Sequence, residues 1–373
     1  MSDRIMPSFS PTNDFAAAVE RLRQLPQDNH PGLQSFFERH AQIHVARAPG
    51  RLDVMGGIGD YSGSLVLEMP IAEAAFAAVQ KSTAGDIRVA SLSRDNVSKP
   101  RLCTIESARF LRFLRSDYSK VRDELRFDPE KSSLAYVLGP ILVLLKETNA
   151  ELQGGLRVLI DSQVPEGKGV SSSAAVEVAT MRAVAAALKI ELPGEEFARL
   201  CQIAENHIVG APCGIMDQMT SALACEQSLL ALRCQPAIVE EAVPIPPQIA
   251  FWGIDSGISH AVSGADYSSV RCGAFMGYRI IAEAAGLPAQ RAVDSPDLYA
   301  VDDPQWHGYL ANISPHEYRQ RFAAIVPEEM TGREFIARYG GTTDRVTRVE
   351  PDRTYAVRFP TLHPIEENAR AEL

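Results

Sequence analysis

The chain has 373 residues, of which 46% are hydrophobic and 23% charged, and its formal net charge at pH 7 is −10. A chain of this length usually folds into two domains. The negative charge argues against nucleic acid or an anionic membrane surface as the main partner, but leaves room for a local basic pocket for an anionic ligand. The six cysteines form no C-x-x-C pair, and we find neither a signal peptide nor a stretch of ~20 apolar residues. We therefore expect a cytoplasmic protein with free thiols.

Apolar spacing predicts helices and strands that alternate irregularly, which favours an α+β fold over regular βαβ winding. The predicted domains are residues 1–225 and 226–373, and the Pro-rich segment 243–247 also lies near this boundary. The predicted helices cover residues 14–25, 32–40, 134–146, 172–188, 195–209, 215–224 and 267–285, and the predicted strands cover residues 65–71, 87–92, 156–160 and 249–254.

A glycine- and serine-rich loop, VPEGKGVSSS at residues 164–173, joins a predicted strand to the strongest predicted helix. Glycines let backbone N–H groups approach an anion closely, and a helix N-terminus adds free donors with a partial positive charge. The loop therefore suits a phosphate group, although a serine-capped helix after a flexible turn has the same composition. It is not a Walker A loop, because Ser162 stands where the first glycine is required.

Two carboxylates, Glu205 and Asp217, are separated by a turn that contains glycine and proline. Such a turn can fold two helix ends onto one site, where one carboxylate holds a hard cation and the other takes a proton. The competing interpretation is that Asp217 only places a favourable negative charge at a helix N-terminus.

A third segment, RAPGRLDVMGGIGDYSG at residues 47–63, interleaves glycines with Arg51, Asp53, Asp60 and Tyr61. A glycine-rich loop that carries arginine and aspartate suits a polyol or a phosphate ligand. A surface turn with solvated charges is the alternative.

Together these three motifs resemble, in order and spacing, the signatures of the GHMP kinases, and the third resembles the galactokinase signature of that family. The segments FWGIDSGISHAVSGADYSSVR and HPIEEN extend the resemblance over residues 44–370, and the whole is similar to the kinase portion of plant-type L-arabinokinases. The resemblance implies a ribosomal-S5-like N-terminal domain and a ferredoxin-like C-terminal domain with the active site between them.

The resemblance also implies in-line phosphoryl transfer from ATP to a small-molecule sugar, with Mg²⁺ as the cofactor. Catalysis of such a transfer depends on positioning and electrostatics. Asp217 would be the catalytic carboxylate and Arg51 its partner. The implied ATP-binding residues are Gly167, Lys168, Gly169, Ser171, Ser172 and Ser173, the implied metal-binding residues are Ser173 and Glu205, and the implied sugar-binding residues are Arg51, Gly57, Ile58, Asp60, Gly214 and Tyr267.

The sugar signature departs from that of galactokinases, in which it reads G-E-H-T-D-Y. Gly57 and Ile58 replace the glutamate and histidine that contact the C6 hydroxyl of galactose. L-Arabinopyranose has the ring configuration of galactose without that arm, so we expect the product L-arabinose 1-phosphate. The alternatives are a galactokinase with a relaxed pocket, a non-catalytic sensor of sugar and ATP, or an inactive fragment.

Two further departures concern the second domain and the adenine pocket. The chain stops shortly after HPIEEN, where related sequences continue, so we expect an incomplete C-terminal domain. The sequence does not decide whether this chain performs the family's activity. Ser133 stands where relatives often carry tryptophan near the adenine. The sequence does not predict an oligomeric state.

Overall fold

The computed structural model describes residues 13–57, 59–93, 100–126, 134–257, 265–293 and 295–357. The helices are α1 (Asn13–Gln24), α2 (Pro31–Gln34), α3 (Gly59–Ser62), α4 (Ser107–Arg115), α5 (Tyr118–Arg126), α6 (Ala135–Glu147), α7 (Ser172–Leu188), α8 (Gly194–Ile203), α9 (Met216–Leu223), α10 (Ala265–Ala284), α11 (Pro315–Arg321) and α12 (Gly332–Tyr339). The strands are β1 (Ile43–Met55), β2 (Leu65–Ser82), β3 (Ile87–Ser93), β4 (Arg101–Ile105), β5 (Gly155–Ser162), β6 (Ser228–Arg233), β7 (Ile238–Val239), β8 (Val243–Pro244), β9 (Ala289–Arg291), β10 (Tyr299–Val301), β11 (Glu329–Thr331) and β12 (Thr354–Ala356).

An eight-stranded mixed sheet organises the first part of the chain, with the order β4-β3-β5-β2-β6-β7; β1 pairs with β2, and β8 pairs with β6. The 18-residue strand β2 is long enough to pair with β1, β5 and β6 along different parts of its length. β3 and β5 run parallel, whereas the other pairs are antiparallel. The backbone N–H of Arg51, within β1, donates to Val170 in the loop before α7. The sheet therefore places the arginine motif beside this loop, which we call the phosphate-binding loop after its predicted role.

Alternate residues of the sheet pack against two separate layers, as the two-residue period of a strand requires. Ala77 and Val79 of β2 belong to the main core with helices α6 to α9, whereas Ala78 packs with Leu33 and Phe36 of the N-terminal segment. Helix α6 is buried on almost every side, which its continuous apolar sequence explains. The mixed architecture confirms the predicted α+β class.

A second hydrophobic core lies around α10, and its largest members include Trp306, Tyr278, Phe322 and Phe335. Among the described residues after β8, the strands form two separate two-stranded sheets, β9–β10 and β11–β12. Strands β6 to β8 belong to the first sheet, so that sheet continues past the predicted boundary at residue 225 as far as Pro244. We propose that the boundary between the two parts lies after this strand.

The structure corrects three of the predicted elements. The helix expected over 32–40 is reduced to the single turn Pro31–Gln34, and the expected helix over 195–209 finishes in a π-helical turn, Ala204–Val209. The strand expected over 249–254 is wrong, because those residues have no regular structure. An apolar run supplies side chains but no partner strand, and here Trp252 and Ile254 are 87% and 93% exposed. Within the described ranges, no helix is long and apolar enough to cross a membrane.

Candidate active site

The loop before α7 has the backbone of an anion-binding loop. Gly167, Gly169 and Ser171 have φ angles of 69°, 70° and 58°, so three of its residues are left-handed. Ser171 precedes the first helical residue, and its buried hydroxyl has no hydrogen-bond partner among the described residues. An unpaired buried hydroxyl beside a helix N-terminus is a donor held ready for a phosphate oxygen.

Strand β1 packs directly against this loop. The backbone N–H of Arg51 donates to the carbonyl of Val170 at 3.1 Å, and Nη1 of Arg51 donates to the carbonyl of Gly169 at 3.1 Å. A Cβ at Gly50 would lie 2.7 Å from the Val170 oxygen, so this approach requires glycine. The third motif is therefore not a surface turn: half of it is a strand that brings Arg51 to the phosphate-binding loop.

Arg51, which is buried, forms an ion pair with the partly exposed Asp217. Nε and Nη2 of Arg51 donate to Oδ1 of Asp217 at 2.9 and 2.6 Å. Burial alone would lower the pKa of Arg51, but the neighbouring carboxylates, Asp217 first, outweigh it and raise the pKa, so the guanidinium stays charged. Asp217 lies in the first turn of α9, where the helix N-terminus also favours a negative charge.

This pair lines a cavity of about 400 Å³ together with the loop before α7. The apolar lining comes from β3, β4, β5 and the helices α6 and α7, and consists of Val89, Leu102, Cys103, Leu134, Tyr136, Val137, Ile160 and Val176. A cavity with a large apolar lining and anion donors suits a nucleotide, and we call it the nucleotide-shaped cavity. The motifs did not reveal this apolar lining, and Ser133 lies outside the described residues.

Asp60 is held at the N-terminus of α9 by two backbone hydrogen bonds. Its carboxylate accepts hydrogen bonds from the backbone N–H groups of Ile215 at 2.9 Å and Met216 at 3.1 Å. Burial raises the pKa of Asp60, and these two hydrogen bonds only partly oppose the rise. A Cβ at Gly214 would lie 1.9 Å from Asp60 Oδ2, so glycine is needed there too.

The predicted sugar residues are therefore not all brought together. Asp60 and Gly214 line a second cavity of about 440 Å³, with Tyr61, Phe275 and Tyr309, that lies between the first sheet region and α10. Arg51 and Asp217 line the nucleotide-shaped cavity instead. The two cavities meet at the start of α9, where Ile215 and Met216 hold Asp60 and the next residue is Asp217.

The remaining predicted sugar residues are described only in part. Gly57 has a φ of +56°, and its N–H donates to Asp53 Oδ2 at 2.6 Å. No atom of the described residues lies within 4 Å of a Cβ built at this position, so that part of the structure leaves space beside the loop. Ile58 lies outside the described residues, and Tyr267 belongs to α10 but its side chain is not described.

Glu205 and a second acid, Glu177, form a buried carboxylate pair. Nε2 of Gln218 donates to Glu205 at 2.5 Å and approaches Glu177 at 3.5 Å, and Ser173 lies close enough to Glu205 to lower its pKa in part. Burial, with Asp217 nearby, raises the pKa of Glu205 to about 7, and burial beside Glu205 raises the pKa of Glu177 well above its usual range. A cation would stabilise these acids in their charged form, so Ser173 and Glu205 fit a divalent metal.

Sequence reasoning missed Glu177 and Gln218, although both follow predicted site residues by one helical turn or less. Among the residues that the structure describes, no group of three or more His, Cys, Asp and Glu side chains forms a metal cage by itself. A metal at Glu205 would need further ligands, such as water or phosphate oxygens.

Lys168 is the one predicted ATP-binding residue that does not line the nucleotide-shaped cavity. Its Nζ lies 2.8 Å from Oδ2 of Asp255, whereas Gly167, Gly169, Ser171, Ser172 and Ser173 all line the nucleotide-shaped cavity. This ion pair links the loop to the segment before α10.

Comparison with known families agrees with this geometry. The profile of the GHMP kinases N-terminal domain matches residues 135–224, and that of the galactokinase galactose-binding signature matches residues 33–81. Residues 33–81 and 135–224 of the chain therefore match models of the GHMP kinase family. The first match contains the phosphate-binding loop, Glu205 and Asp217, and the second contains Arg51, Gly57 and Asp60.

Individual relatives are sugar kinases by name. The L-arabinokinase of Arabidopsis thaliana is 44% identical over 90% of this chain and 36% of that protein. The galactokinase of Chloroflexus aggregans is 34% identical over 71% of this chain and 63% of that protein. The chain thus spans roughly a third to two thirds of the length of these relatives.

A solved structure has the same fold. The crystal structure of Lactococcus lactis galactokinase complexed with galactose superposes with a TM-score of 0.59, covers 85% of this chain and 69% of that chain, and is 19% identical in sequence. The GHMP kinase fold predicted from the motifs is confirmed.

Proposed function

We propose that this GHMP kinase transfers the γ-phosphoryl group of ATP to the anomeric hydroxyl of L-arabinose. The observation that carries the proposal is the Arg51–Asp217 ion pair, which lines the same cavity as the phosphate-binding loop. A carboxylate for the attacking hydroxyl, a fixed cation and anion donors then meet in the nucleotide-shaped cavity.

The chemistry assigns a separate task to each group. Backbone N–H groups at the start of α7 and the unpaired Ser171 hydroxyl bind the phosphates, and the apolar lining around Tyr136 receives the adenine. Asp217 orients the sugar hydroxyl and accepts its proton, while Arg51 neutralises charge that develops in the transition state. A carboxylate paired with arginine is a weak base, so much of its contribution is electrostatic.

Mg²⁺ is the metal that we propose for this site, with Ser173 and Glu205 as its protein ligands. When bound, Mg²⁺ neutralises charge on the phosphate oxygens. Gln218 donates to Glu205 and approaches Glu177, and we expect these contacts to keep the Glu205 carboxylate fixed.

L-Arabinose is proposed as the sugar because Gly57, in the segment that matches the galactokinase signature, has no side chain that could contact a C6 hydroxyl. The 44% identity to an L-arabinokinase supports the same choice. Galactose is the competing substrate, because a galactokinase is also similar to this chain.

The test combines the purified chain with ATP, Mg²⁺ and either L-arabinose or D-galactose, and follows the sugar 1-phosphate by ³¹P NMR. We expect L-arabinose 1-phosphate to form with the wild type and to be almost absent with Asp217→Asn. If a sugar 1-phosphate forms with galactose and not with L-arabinose, galactose is the substrate and the proposal of L-arabinose is wrong. Binding of ATP and sugar without any product would favour a sensor over a kinase.

A further inference from the structure

Glu68, in strand β2, is a buried acid that the proposed mechanism does not use. Its side chain has no exposed surface, and its Oε2 lies 3.1 Å from Nε of Arg51. Neither of its oxygens accepts a hydrogen bond within the described part of the chain. The guanidinium of Arg51 is therefore held between two acids, Asp217 and Glu68, but its hydrogen bonds go to Asp217.

Glycine at position 56 makes room for this acid. A Cβ built there would lie 2.6 Å from Glu68 Oε1 and 2.8 Å from Asp53 Oδ1. Glu68 thus lies at the junction between the Arg51–Asp217 pair and the loop that carries Gly57. The titratable and charged groups that act on it are Arg51 and Asp53 of β1, Asp60 of α3 and Asp217 of α9, and Cys234 lies close enough to be influenced by its charge.

The charge balance at this junction favours a neutral Glu68. Arg51 and Asp217 already compensate each other, so an ionised Glu68 would leave a negative charge where the phosphates of ATP must approach. Burial raises the pKa of Glu68 to about 9, even though Arg51 opposes the rise. At neutral pH the side chain is therefore the uncharged acid.

We propose that Glu68 is a positioning residue that controls the charge of the Arg51–Asp217 pair. As the neutral acid it packs against the Nε edge of the guanidinium and leaves the positive charge to Asp217 and the transferred phosphoryl group. When ionised, it competes with both for Arg51. This role rests on the proposed kinase function.

The test compares wild type, Glu68→Gln and Glu73→Gln, which changes an exposed glutamate of the same strand. We expect the wild-type kcat at saturating ATP and sugar to fall about tenfold between pH 7.5 and 10, because one pH unit above its pKa an acid is about nine-tenths ionised. Glu73→Gln should show the same fall. Glu68→Gln should lose most of this fall in kcat, because glutamine does not titrate. Matching alkaline profiles for wild type and Glu68→Gln would overturn the proposal.

Thermal unfolding supplies a readout that does not need activity. Because the folded pKa of Glu68 is above the ordinary glutamate value, its favourable contribution to stability is lost as the pH rises toward and through about 9. The Tm of wild type and Glu73→Gln should therefore fall more between pH 6 and 10 than the Tm of Glu68→Gln. A chain without kinase activity would count against the proposed function, and equal Tm slopes would count against an ionisable, buried Glu68.

Discussion

Nε and Nη2 of Arg51 both donate to Oδ1 of Asp217, at 2.9 and 2.6 Å. Both bonds end on the same carboxylate oxygen, and the Asp217 side chain is 24% exposed. The other oxygen, Oδ2, is therefore left for a substrate in the nucleotide-shaped cavity. The arrangement separates two tasks, because one oxygen fixes the guanidinium while the other can orient a hydroxyl.

Replacing Asp217 should therefore remove turnover rather than the fold. We expect Asp217→Asn to lower kcat by about 10²–10⁴-fold, because asparagine still accepts a hydrogen bond from Arg51 but supplies no charge and no base. ATP binding by isothermal titration calorimetry should stay within a few fold of wild type. Asp117→Asn, at an exposed aspartate near α5, serves as the matched control. A kcat within twofold of wild type would exclude Asp217 from the chemistry.

The parts of this site that the sequence predicted are those in which one short segment carries the whole signal. The predicted role of the turn before α7 follows from its own glycines and serines. In the structure Gly167, Gly169 and Ser171 have left-handed backbone and line the nucleotide-shaped cavity. The helix over 172–188 was also predicted with its observed ends, because alanine-rich sequence and a serine start are local properties.

The parts that the sequence did not predict depend on contacts between distant segments. Glu68 reads as an ordinary strand residue until β1 and β2 bring it to Arg51, and Tyr136 reads as part of an apolar helix until it lines the nucleotide-shaped cavity. The strand expected over 249–254 failed for the same reason, because pairing requires a neighbour that the segment itself cannot specify.

Gly214 should be intolerant of even one methyl group. A Cβ there would meet the Asp60 carboxylate at 1.9 Å and separate it from the N–H groups of Ile215 and Met216. We expect Gly214→Ala to lower the free energy of unfolding by about 1–3 kcal/mol, because a buried carboxylate loses its donors. Urea unfolding followed by circular dichroism measures the loss.

The control for this change is Gly253→Ala, whose Cβ would meet only Leu52 at 3.4 Å. Its unfolding free energy should stay within about 0.5 kcal/mol of wild type, as for a substitution without a clash. Equal effects of the two alanine substitutions would show that the contact between Asp60 and the start of α9 is not required.

Glu205 should affect metal dependence more than the fold. We expect Glu205→Gln to raise the Mg²⁺ concentration needed for half-maximal turnover by at least about tenfold, because a metal ligand is lost. In the absence of metal the same variant should be more stable than wild type at pH 8. The folded pKa of Glu205 is about 7, above the ordinary value, so its stabilising contribution is lost as the pH rises through 7. Glu226→Gln, at an exposed position, is the control; an unchanged Mg²⁺ requirement in Glu205→Gln would remove Glu205 as a ligand.

Sugar selectivity should respond to the two residues that replace the glutamate and histidine of galactokinases. Among the described residues, no atom lies within 4 Å of a Cβ built at Gly57, so we expect a glutamate introduced there to fit and to hydrogen-bond a C6 hydroxyl. Each hydrogen bond gained is worth ~0.5–1.5 kcal/mol, so two should move the ratio of kcat/KM for L-arabinose over galactose by about tenfold toward galactose in Gly57→Glu with Ile58→His. The left-handed φ of +56° at residue 57 should at the same time lower stability, by ~1–2 kcal/mol.

The matched control is Gly57→Ala, which imposes the same backbone strain without a polar group. It should lower Tm like the double variant while keeping the wild-type preference for L-arabinose, because the strain acts on the fold and the new hydrogen bonds act on the sugar. Initial rates with both sugars, measured at several concentrations of each, separate the two effects. A double variant that keeps the selectivity of Gly57→Ala would show that these two positions do not contact the sixth carbon, and the choice of pentose would then have to arise elsewhere in the cavity walls.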